Sequence, residues 1–244
     1  QIAPIPNILM IWKGLLFLST IRPTVSIAAA RITTMRRSAL EISPSSTQFL
    51  TMILSPAKSL DFAPPQMDLH SVPSYLERAD EIALLLKRME ADELGELLGI
   101  SARLSTLNHL RYAAFDPAAT AGTIDGPIDG KYKQAVLAYD GPAYRALDAA
   151  TLPSEALHYL QSHLSIISGL YGALRPLDLI QPYRLEMATK TRERLPSLPK
   201  PSLHAYWREA LTAHISQSLT AHEDVALVNL ASKEYSKALD LRGL

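Results

Sequence analysis

One stretch of the chain, residues 165–187, concentrates side chains that could bind an anion. It contains Arg175, Arg184, Glu186 and Tyr183. A guanidinium group can grip a carboxylate or a phosphate through two parallel hydrogen bonds, and a tyrosine hydroxyl can add another. The same residue types also form buried ion pairs that hold two loops together. Spacing alone favours this structural interpretation over a binding site.

The elements that must position these groups can be predicted from the same stretch. Leu164 to Ile167 is a short apolar run rich in β-branched residues, which predicts a buried strand. Gly169 follows it and permits a tight turn or a close backbone approach. Apolar and charged residues then alternate over residues 183–187, so in an extended chain Arg184 and Glu186 would share one face. We therefore expect these groups at turns beside strand ends, where binding residues are common.

Two further blocks place polar residues after candidate strands. Residues 52–54 predict a strand, and Ser55 and Lys58 follow it in a turn whose hydroxyl, backbone N–H groups and ammonium could hold a phosphate or carboxylate. Residues 225–230 predict another buried strand, and Lys233 follows it at the start of a short helix. An ordinary turn with a solvated lysine explains either block equally well.

A third candidate site is a tight pair of helices over residues 97–111. This segment resembles a helix-hairpin-helix, in which backbone N–H groups of a Gly-apolar-Gly turn and of the next helix meet a DNA phosphate without reading sequence. The turn here is Gly99-Ile100-Ser101, with Arg103 nearby. Serine in place of the second glycine carries a steric cost if the backbone needs a positive φ. The alternative is an ordinary helical hairpin with Ser101 as its N-cap. Leu104, Leu107 and Leu110 are expected to pack the second helix.

Three sequence blocks in this order carry a resemblance to a known family. They are Ser55–Asp61, Ile167–Asp178 followed closely by Gln181–Met187, and Asn229–Tyr235. Together they are similar to the YaaA peroxide-stress (UPF0246-type) family from about Met52 to the end of the chain. The resemblance implies a protein that binds DNA through a helix-hairpin-helix, protects it from oxidative damage and helps to limit free intracellular iron. Since that family continues with further strands and a basic block, we expect this chain to lack the C-terminal part of the domain.

The resemblance also groups the candidate site residues. It assigns the DNA-binding role to Gly99, Ile100, Ser101, Arg103, Lys131 and Lys133. It also implies an anion-binding cleft, formed by Ser55, Lys58, Tyr144, Arg145, Arg175, Tyr183, Arg184, Glu186, Asn229 and Lys233. The expected partner is duplex or branched DNA bound with little sequence selectivity by a monomer that has no membrane segment, no cofactor and no catalytic residue. The alternative is an enzyme acting on a small anionic, nucleotide-like substrate in the cleft. A third interpretation is that these blocks only stabilise the fold.

Composition limits the chemistry further. The chain has no cysteine, so disulfides, zinc–thiolate sites and cysteine nucleophiles are excluded within it. None of the seven histidines has a partner at metal-ligand spacing, so we expect no metal site. Net charge is zero, but residues 1–51 carry an excess of four positive charges and the remainder the same excess of negative charges. DNA contact must therefore come from a local patch.

Two units are expected along the chain. Residues 1–51 form a leader that resembles a transit peptide or a mistranslated extension, and residues 52–244 form the folded domain. Localisation is cytoplasmic, or in a plastid or mitochondrion if the leader is a genuine transit peptide. The domain is predicted to be α+β, with a mixed central sheet, flanking helices and the helix-hairpin-helix-like element. Helices are predicted over 73–89, about 91–98 and 205–219, and a strand over 135–139, whereas residues 116–130 are predicted to form a loop.

Overall fold

The computed structural model describes residues 49–65, 67–116, 131–221 and 225–244. The predicted leader over residues 1–51 therefore lies outside the described residues, except for its last three, which are part of the first strand. The predicted loop over 116–130 also lies outside them, apart from its first residue.

Six strands are present in the described residues. They are β1 (Phe49–Leu54), β2 (Lys133–Gln134), β3 (Leu164–Ser168), β4 (Gly172–Leu174), β5 (Leu179–Ile180) and β6 (Val225–Leu230). Four of them form a sheet in the order β4-β3-β1-β6, and β2 pairs with β5 in a separate two-stranded sheet.

Eight α-helices surround these strands in the same ranges. They are α1 (Leu76–Lys87), α2 (Ala91–Leu98), α3 (Ala102–Ala113), α4 (Ala135–Ala138), α5 (Pro142–Leu147), α6 (Ser154–His163), α7 (Leu203–Thr220) and α8 (Lys233–Ser236). A single 3₁₀ turn, Ala149–Thr151, precedes α6. The predicted α+β class, with a mixed central sheet and flanking helices, is confirmed.

Strand β1 is the centre of the four-stranded sheet. It runs parallel to β3 on one side and to β6 on the other, with Ile53 opposite Ser165 and Asn229. Strand β4 returns antiparallel to β3 through the Gly169–Tyr171 turn. Because β1, β3 and β6 are parallel, their carboxyl ends and the loops that follow them meet at one edge of the sheet.

Helix α7 covers the turn between β3 and β4. Its Trp207 is fully buried, and the indole Nε1–H donates to the carbonyl of Gly169 at 2.9 Å. Gly172 has φ +71°, and a Cβ there would lie 2.5 Å from the Trp207 ring. The turn therefore needs glycine both for its backbone conformation and for its contact with the indole.

Local patterns predict most of these elements. The predicted strand at 164–167, the strand at 225–230 and the helix at 91–98 are all confirmed. The prediction of a strand over 135–139 is wrong, because only Lys133 and Gln134 pair with β5 before the chain enters α4. Alanine and leucine favour a helical turn over a strand, and the backbone N–H groups of Ala135 and Val136 bond to the 176–178 loop.

The prediction that the leucines of α3 pack inward is also wrong for two of the three, and the third, Leu104, is only half-buried. Leu107 and Leu110 are exposed, whereas Ser105, Asn108 and Tyr112 form the buried side of the helix. Helix α2 approaches α3 so closely that a Cβ on its Gly95 would lie 2.8 Å from the Ser105 hydroxyl oxygen. This contact requires a small residue on α3, which turns the leucines outward.

Candidate functional site

The loops after the three parallel strands are joined at the carboxyl edge of the sheet. Ser55 follows β1, and its Oγ accepts a hydrogen bond from the backbone N–H of Ser232, which follows β6, at 2.8 Å. The carbonyl of Ser55 accepts another from the hydroxyl of Tyr144 at 2.8 Å. These bonds fix the loop that carries Lys58 relative to the start of α8.

Three charged side chains meet beside these loops, and we call Lys58, Arg184 and Glu186 the carboxyl-edge cluster. The ammonium of Lys58 lies 2.8 Å from Glu186 Oε2, and Arg184 Nη2 lies 3.0 Å from Glu186 Oε1. The Lys58 side chain is 65% exposed, whereas those of Arg184 and Glu186 are 21% and 26% exposed. One carboxylate thus holds a sheltered guanidinium and a largely solvated ammonium, which is an arrangement that an anionic ligand can enter.

The segment over residues 183–187 is extended but is not paired in a sheet. Its side chains alternate as predicted, with Tyr183, Leu185 and Met187 buried and the two charged residues partly exposed. The segment lies so close to the end of β3 that a Cβ on Gly169 would be 2.5 Å from the Leu185 carbonyl oxygen. Gly169 therefore sets the position of the backbone that carries Arg184 and Glu186.

A buried hydrogen-bonded network of hydroxyl groups holds the segment over residues 183–187 in place. The hydroxyl of Tyr183 lies 2.7 Å from Ser168 Oγ and 2.7 Å from the hydroxyl of Tyr139. Ser168 Oγ also accepts from the backbone N–H groups of Leu170 and Tyr171. Burial raises the pKa of Tyr183 to about 12, so its phenol stays protonated and keeps a hydrogen to donate at neutral pH.

A residue that the sequence interpretation missed, Arg111, also approaches the cluster. It lies in the last turn of α3, where its Nη1–H donates to Asn108 Oδ1 at 3.3 Å. Burial lowers the pKa of its guanidinium and the nearby charge of Arg184 lowers it further, while Tyr112 acts in the opposite sense. The hydroxyl of Tyr112 donates to the carbonyl of Arg184 at 2.8 Å. No local pattern signals this contact, because it joins residues more than seventy positions apart.

Most of the other residues predicted for the cleft are placed around this edge. Tyr144 is buried and its hydroxyl donates a hydrogen bond to the Ser55 carbonyl. Arg145 is exposed and pairs with Asp140 at 2.9 Å. Asn229 is buried, and its side-chain oxygen accepts the backbone N–H of Ala231 at 3.0 Å. Lys233 is exposed at the first position of α8. The structure thus gives Tyr144 and Asn229 contacts that shape the loops.

Arg175 belongs to a different network. It follows β4, which is antiparallel, so it lies towards the opposite end of β3 from Ser168. Its Nε and Nη2 donate to Oδ1 of the fully buried Asp178 at 3.1 and 3.0 Å, and its backbone N–H donates to Oδ2 at 2.8 Å. Ser71 Oγ donates to the same carboxylate at 2.6 Å. The structure therefore does not bring Arg175 to the carboxyl-edge cluster.

The predicted hairpin is a pair of helices joined by three residues, Gly99–Ser101, which we call the hairpin tip. Gly99 has φ 62° and ψ 46°, in the left-handed region that ends α2. Ser101 has φ −66° and ψ 156°, so serine at this position causes no steric strain. Its side chain makes no capping hydrogen bond, and both it and Arg103 are exposed. The backbone donors at the start of α3 are therefore not capped by a serine.

The two lysines predicted to bind DNA have different surroundings. Lys133 is in β2, where its side chain is only 7% exposed and pairs with Asp61 at 3.1 Å. Lys131 is exposed, with its ammonium 5.4 Å from the centre of the Tyr132 ring. Neither lysine is on the hairpin itself.

Neither a metal site nor a membrane-spanning helix is present in the described residues. No group of three or more His, Asp or Glu side chains within them is arranged to hold a metal ion. None of their helices has both the length and the apolar character needed to cross a membrane.

Comparison with known proteins agrees with the sequence blocks. The family model described as "Peroxide stress protein YaaA" matches residues 50–244. A UPF0246 protein of Ralstonia pickettii (strain 12J) is 42% identical over 191 residues, which cover 78% of this chain and 70% of that relative. UPF0246 proteins of Delftia acidovorans and Caulobacter vibrioides (strain NA1000 / CB15N) are each 41% identical, covering 80% of this chain and 72% and 71% of their own lengths.

Proposed function

We propose, from the premise that this chain belongs to the YaaA peroxide stress protein family, that it binds DNA through the hairpin tip and Arg103. In this proposal it protects DNA during peroxide stress without turnover, acts as a monomer and helps to limit free iron. Its place of action is the cytoplasm, or a plastid or mitochondrion if residues 1–51 are a genuine transit peptide. The observation that carries the proposal is the exposed tip, with its uncapped backbone donors beside a basic side chain.

The chemistry of the tip suits a phosphate. The first N–H groups of α3 have no capping side chain, and the positive end of a helix of this length attracts an anion. The hydroxyl of Ser101 and the guanidinium of Arg103 add donors at the same end. The acids Glu90 and Glu93 cap the far end of α2, about 12 Å away along its axis, so they do not compete at the tip.

Helix α3 is held firmly at its other end. Beyond its last turn, Phe115 packs near the ring of Tyr171, with ring centres 6.3 Å apart. Asp116 exchanges two hydrogen bonds with the side chain of Gln181, at 2.8 and 3.1 Å. A rigidly held helix presents its N-terminal donors without a large ordering cost on binding, which favours phosphate contact.

Charge reversal at the tip tests the proposal. We expect Arg103→Glu to weaken duplex and four-way-junction DNA binding at least tenfold, and to reduce the salt slope of log K by about 1, because one phosphate contact is lost. Fluorescence anisotropy at two salt concentrations measures both quantities. Arg242→Glu, the same charge change at an exposed site in the C-terminal segment, is the matched control.

The outcomes of this experiment are distinct. Equal losses in Arg103→Glu and Arg242→Glu would show that only overall charge matters and would contradict the assignment to the hairpin. Free iron measured by electron paramagnetic resonance, in peroxide-treated cells carrying the wild type or Arg103→Glu, tests whether DNA contact and iron limitation depend on the same surface.

A second candidate function is an enzyme acting on a small anionic, nucleotide-like substrate. The observation that favours it is the carboxyl-edge cluster, in which one carboxylate bridges two cations. A surface that binds DNA without sequence selectivity needs only basic side chains, whereas an enzyme site commonly combines both charges. The position of the cluster after three parallel strand ends is also where ligands bind in α/β sheets.

A screen of anionic metabolites tests this second candidate. We expect one class to raise the melting temperature of the wild type and to be consumed on incubation, as followed by mass spectrometry. Arg184→Ala should abolish both effects, because it removes the sheltered cation, whereas Arg242→Ala, at an exposed site outside the predicted cleft, should retain them. If only buffer ions stabilise the wild type and no compound is consumed, the enzyme candidate fails.

A further inference from the structure

Two basic side chains contact one carboxylate at the carboxyl edge of the sheet, and a third basic side chain lies beside them. Lys58 and Arg184 both contact Glu186, at 2.8 and 3.0 Å. Arg111 approaches Arg184 from α3 and forms no ion pair with any described residue. Glu234 on α8 is a second carboxylate near this segment, where it accepts the backbone N–H of Ala188 and keeps its charge. The three basic groups therefore exceed the two carboxylates by one positive charge.

The guanidinium of Arg184 also has an unused donor. Its Nε–H is buried and has no hydrogen-bond acceptor among the described residues. A buried donor without a partner costs about 1–3 kcal/mol, so such groups usually meet a protein, solvent or ligand oxygen. Two partly buried guanidinium groups whose like charges repel each other likewise favour the binding of an anion beside them.

We propose that Arg111 and Arg184 together bind the phosphate of a phosphate monoester, and that Lys58 provides the exposed third cation. The inference rests on the second candidate function and names its ligand class. A phosphate monoester carries a charge of about −1.5 to −2 at neutral pH and three acceptor oxygens, one for each of the three basic groups. A carboxylate offers only two acceptor oxygens. Arginine pairs are well suited to phosphate because their planar donors match its geometry.

The same chemical group occurs in two kinds of molecule. One is a free nucleotide, and the other is a DNA strand that ends in a 5′-phosphate. Helix α3 bears Arg103 near its first turn and Arg111 near its last, about 12 Å apart along the helix axis. A DNA end bound at Arg111 would therefore lie near the hairpin tip, whereas a free nucleotide would occupy the cluster alone.

Isothermal titration calorimetry of the full chain tests the inference. The probes are inorganic phosphate, adenosine 5′-monophosphate, and one single-stranded oligonucleotide with either a 5′-phosphate or a 5′-hydroxyl. We expect Arg111→Gln and Arg184→Gln each to weaken binding of the phosphorylated probes at least tenfold. Arg242→Gln, which removes an exposed arginine that is not part of the predicted cleft, should stay within twofold of the wild type.

The two sources give different results. An oligonucleotide that binds at least tenfold more tightly with a 5′-phosphate than with a 5′-hydroxyl identifies a DNA end as the ligand. Tight binding of the mononucleotide, with no preference between the two oligonucleotides, identifies a free nucleotide. Either result supports the site provided that Arg111→Gln loses the binding.

Other results would overturn the inference. If phosphorylated probes bind Arg111→Gln as tightly as the wild type, the site does not use Arg111, although the second candidate function would survive. If the wild type binds none of the probes, the inference fails, while consumption of a different anion in the metabolite screen would still leave the second candidate standing. Should Arg184→Gln fail to fold, Arg111→Gln and the charge-conserving Arg111→Lys decide the question, with an intermediate affinity expected for the lysine variant.

Discussion

Gly169→Ala should destabilise the protein by about 3 kcal/mol, because the added methyl group has no space. A Cβ at this position would lie 2.5 Å from the Leu185 carbonyl oxygen and 3.2 and 3.3 Å from the carbonyl carbons of Leu185 and Glu186. These neighbours are backbone atoms, which cannot rotate away as a side-chain end can. The alternative to unfolding is to displace the segment that carries Glu186, which would separate its carboxylate from Lys58.

Thermal unfolding measures this effect, and Gly99→Ala is the matched control. A loss of about 3 kcal/mol corresponds to a fall of roughly 6–12 °C in melting temperature for a protein of this size. At Gly99 a Cβ meets nothing within 4 Å, so only the positive φ of 62° opposes alanine, at about 1 kcal/mol. Equal losses at the two glycines would show that the segment over residues 183–187 moves without resistance.

Asp178→Ala should have a similarly large effect, a loss of about 3 kcal/mol in the free energy of unfolding. The carboxylate is fully buried and accepts hydrogen bonds from Ser71, from the backbone N–H of Arg175 and twice from the Arg175 guanidinium. Removing one partner of a buried ion pair typically costs about 3–5 kcal/mol, and Arg175, whose side chain is 40% exposed, can recover some hydration. The expected loss is therefore at the lower end of that range.

Chemical denaturation with two companion variants separates the contributions. Asp178→Asn keeps the shape and one acceptor oxygen, so it should lose less than Asp178→Ala. Ser71→Ala removes the hydroxyl that donates to Asp178 and accepts from the side chain of Gln161, and it should lose about 1–2 kcal/mol. A loss below 1 kcal/mol in Asp178→Ala would mean that this network does not hold the loop after β4. Binding of anions at the carboxyl-edge cluster should be unchanged in any variant of the network that folds.

The sequence predicts those elements whose signal is local. The apolar run before Gly169 is a fully buried strand, as expected where a parallel strand is covered on both faces, whereas the run at 225–230 is an edge strand in which only Leu227 and Asn229 are buried. The error at 135–139 has a physical cause, since alanine and leucine, which make up three of the four residues in this helical turn, favour a helix but also read as an apolar run typical of a strand. The outward leucines of α3 could not be predicted, because the close contact between Gly95 and Ser105 that turns them outward is tertiary.

The candidate site likewise combines residues that local patterns predict with contacts that depend on the tertiary structure. Arg175 and Arg184 look alike in the sequence, and only the antiparallel return of β4 separates them. Lys58 and Glu186 could be proposed as one site from the strand ends they follow, but their contact distance could not. No local sequence pattern predicts that Arg111 belongs to the site, because its place beside Arg184 depends on the tertiary hydrogen bond between Tyr112 and the Arg184 backbone.

The position of β1 in the sheet has a consequence for how the chain acquires its fold. Its two parallel neighbours lie about 110 and 175 residues further along the chain. At a synthesis rate of about 5–20 residues per second, roughly 10 to 35 seconds pass between the emergence of Leu54 and that of Leu230. Both edges of this apolar strand are without their final partners until β3 emerges, and one edge stays without its partner until β6 does, which makes the nascent chain prone to aggregation. Folding should therefore be slow, nearly post-translational, and assisted by chaperones that bind extended apolar segments.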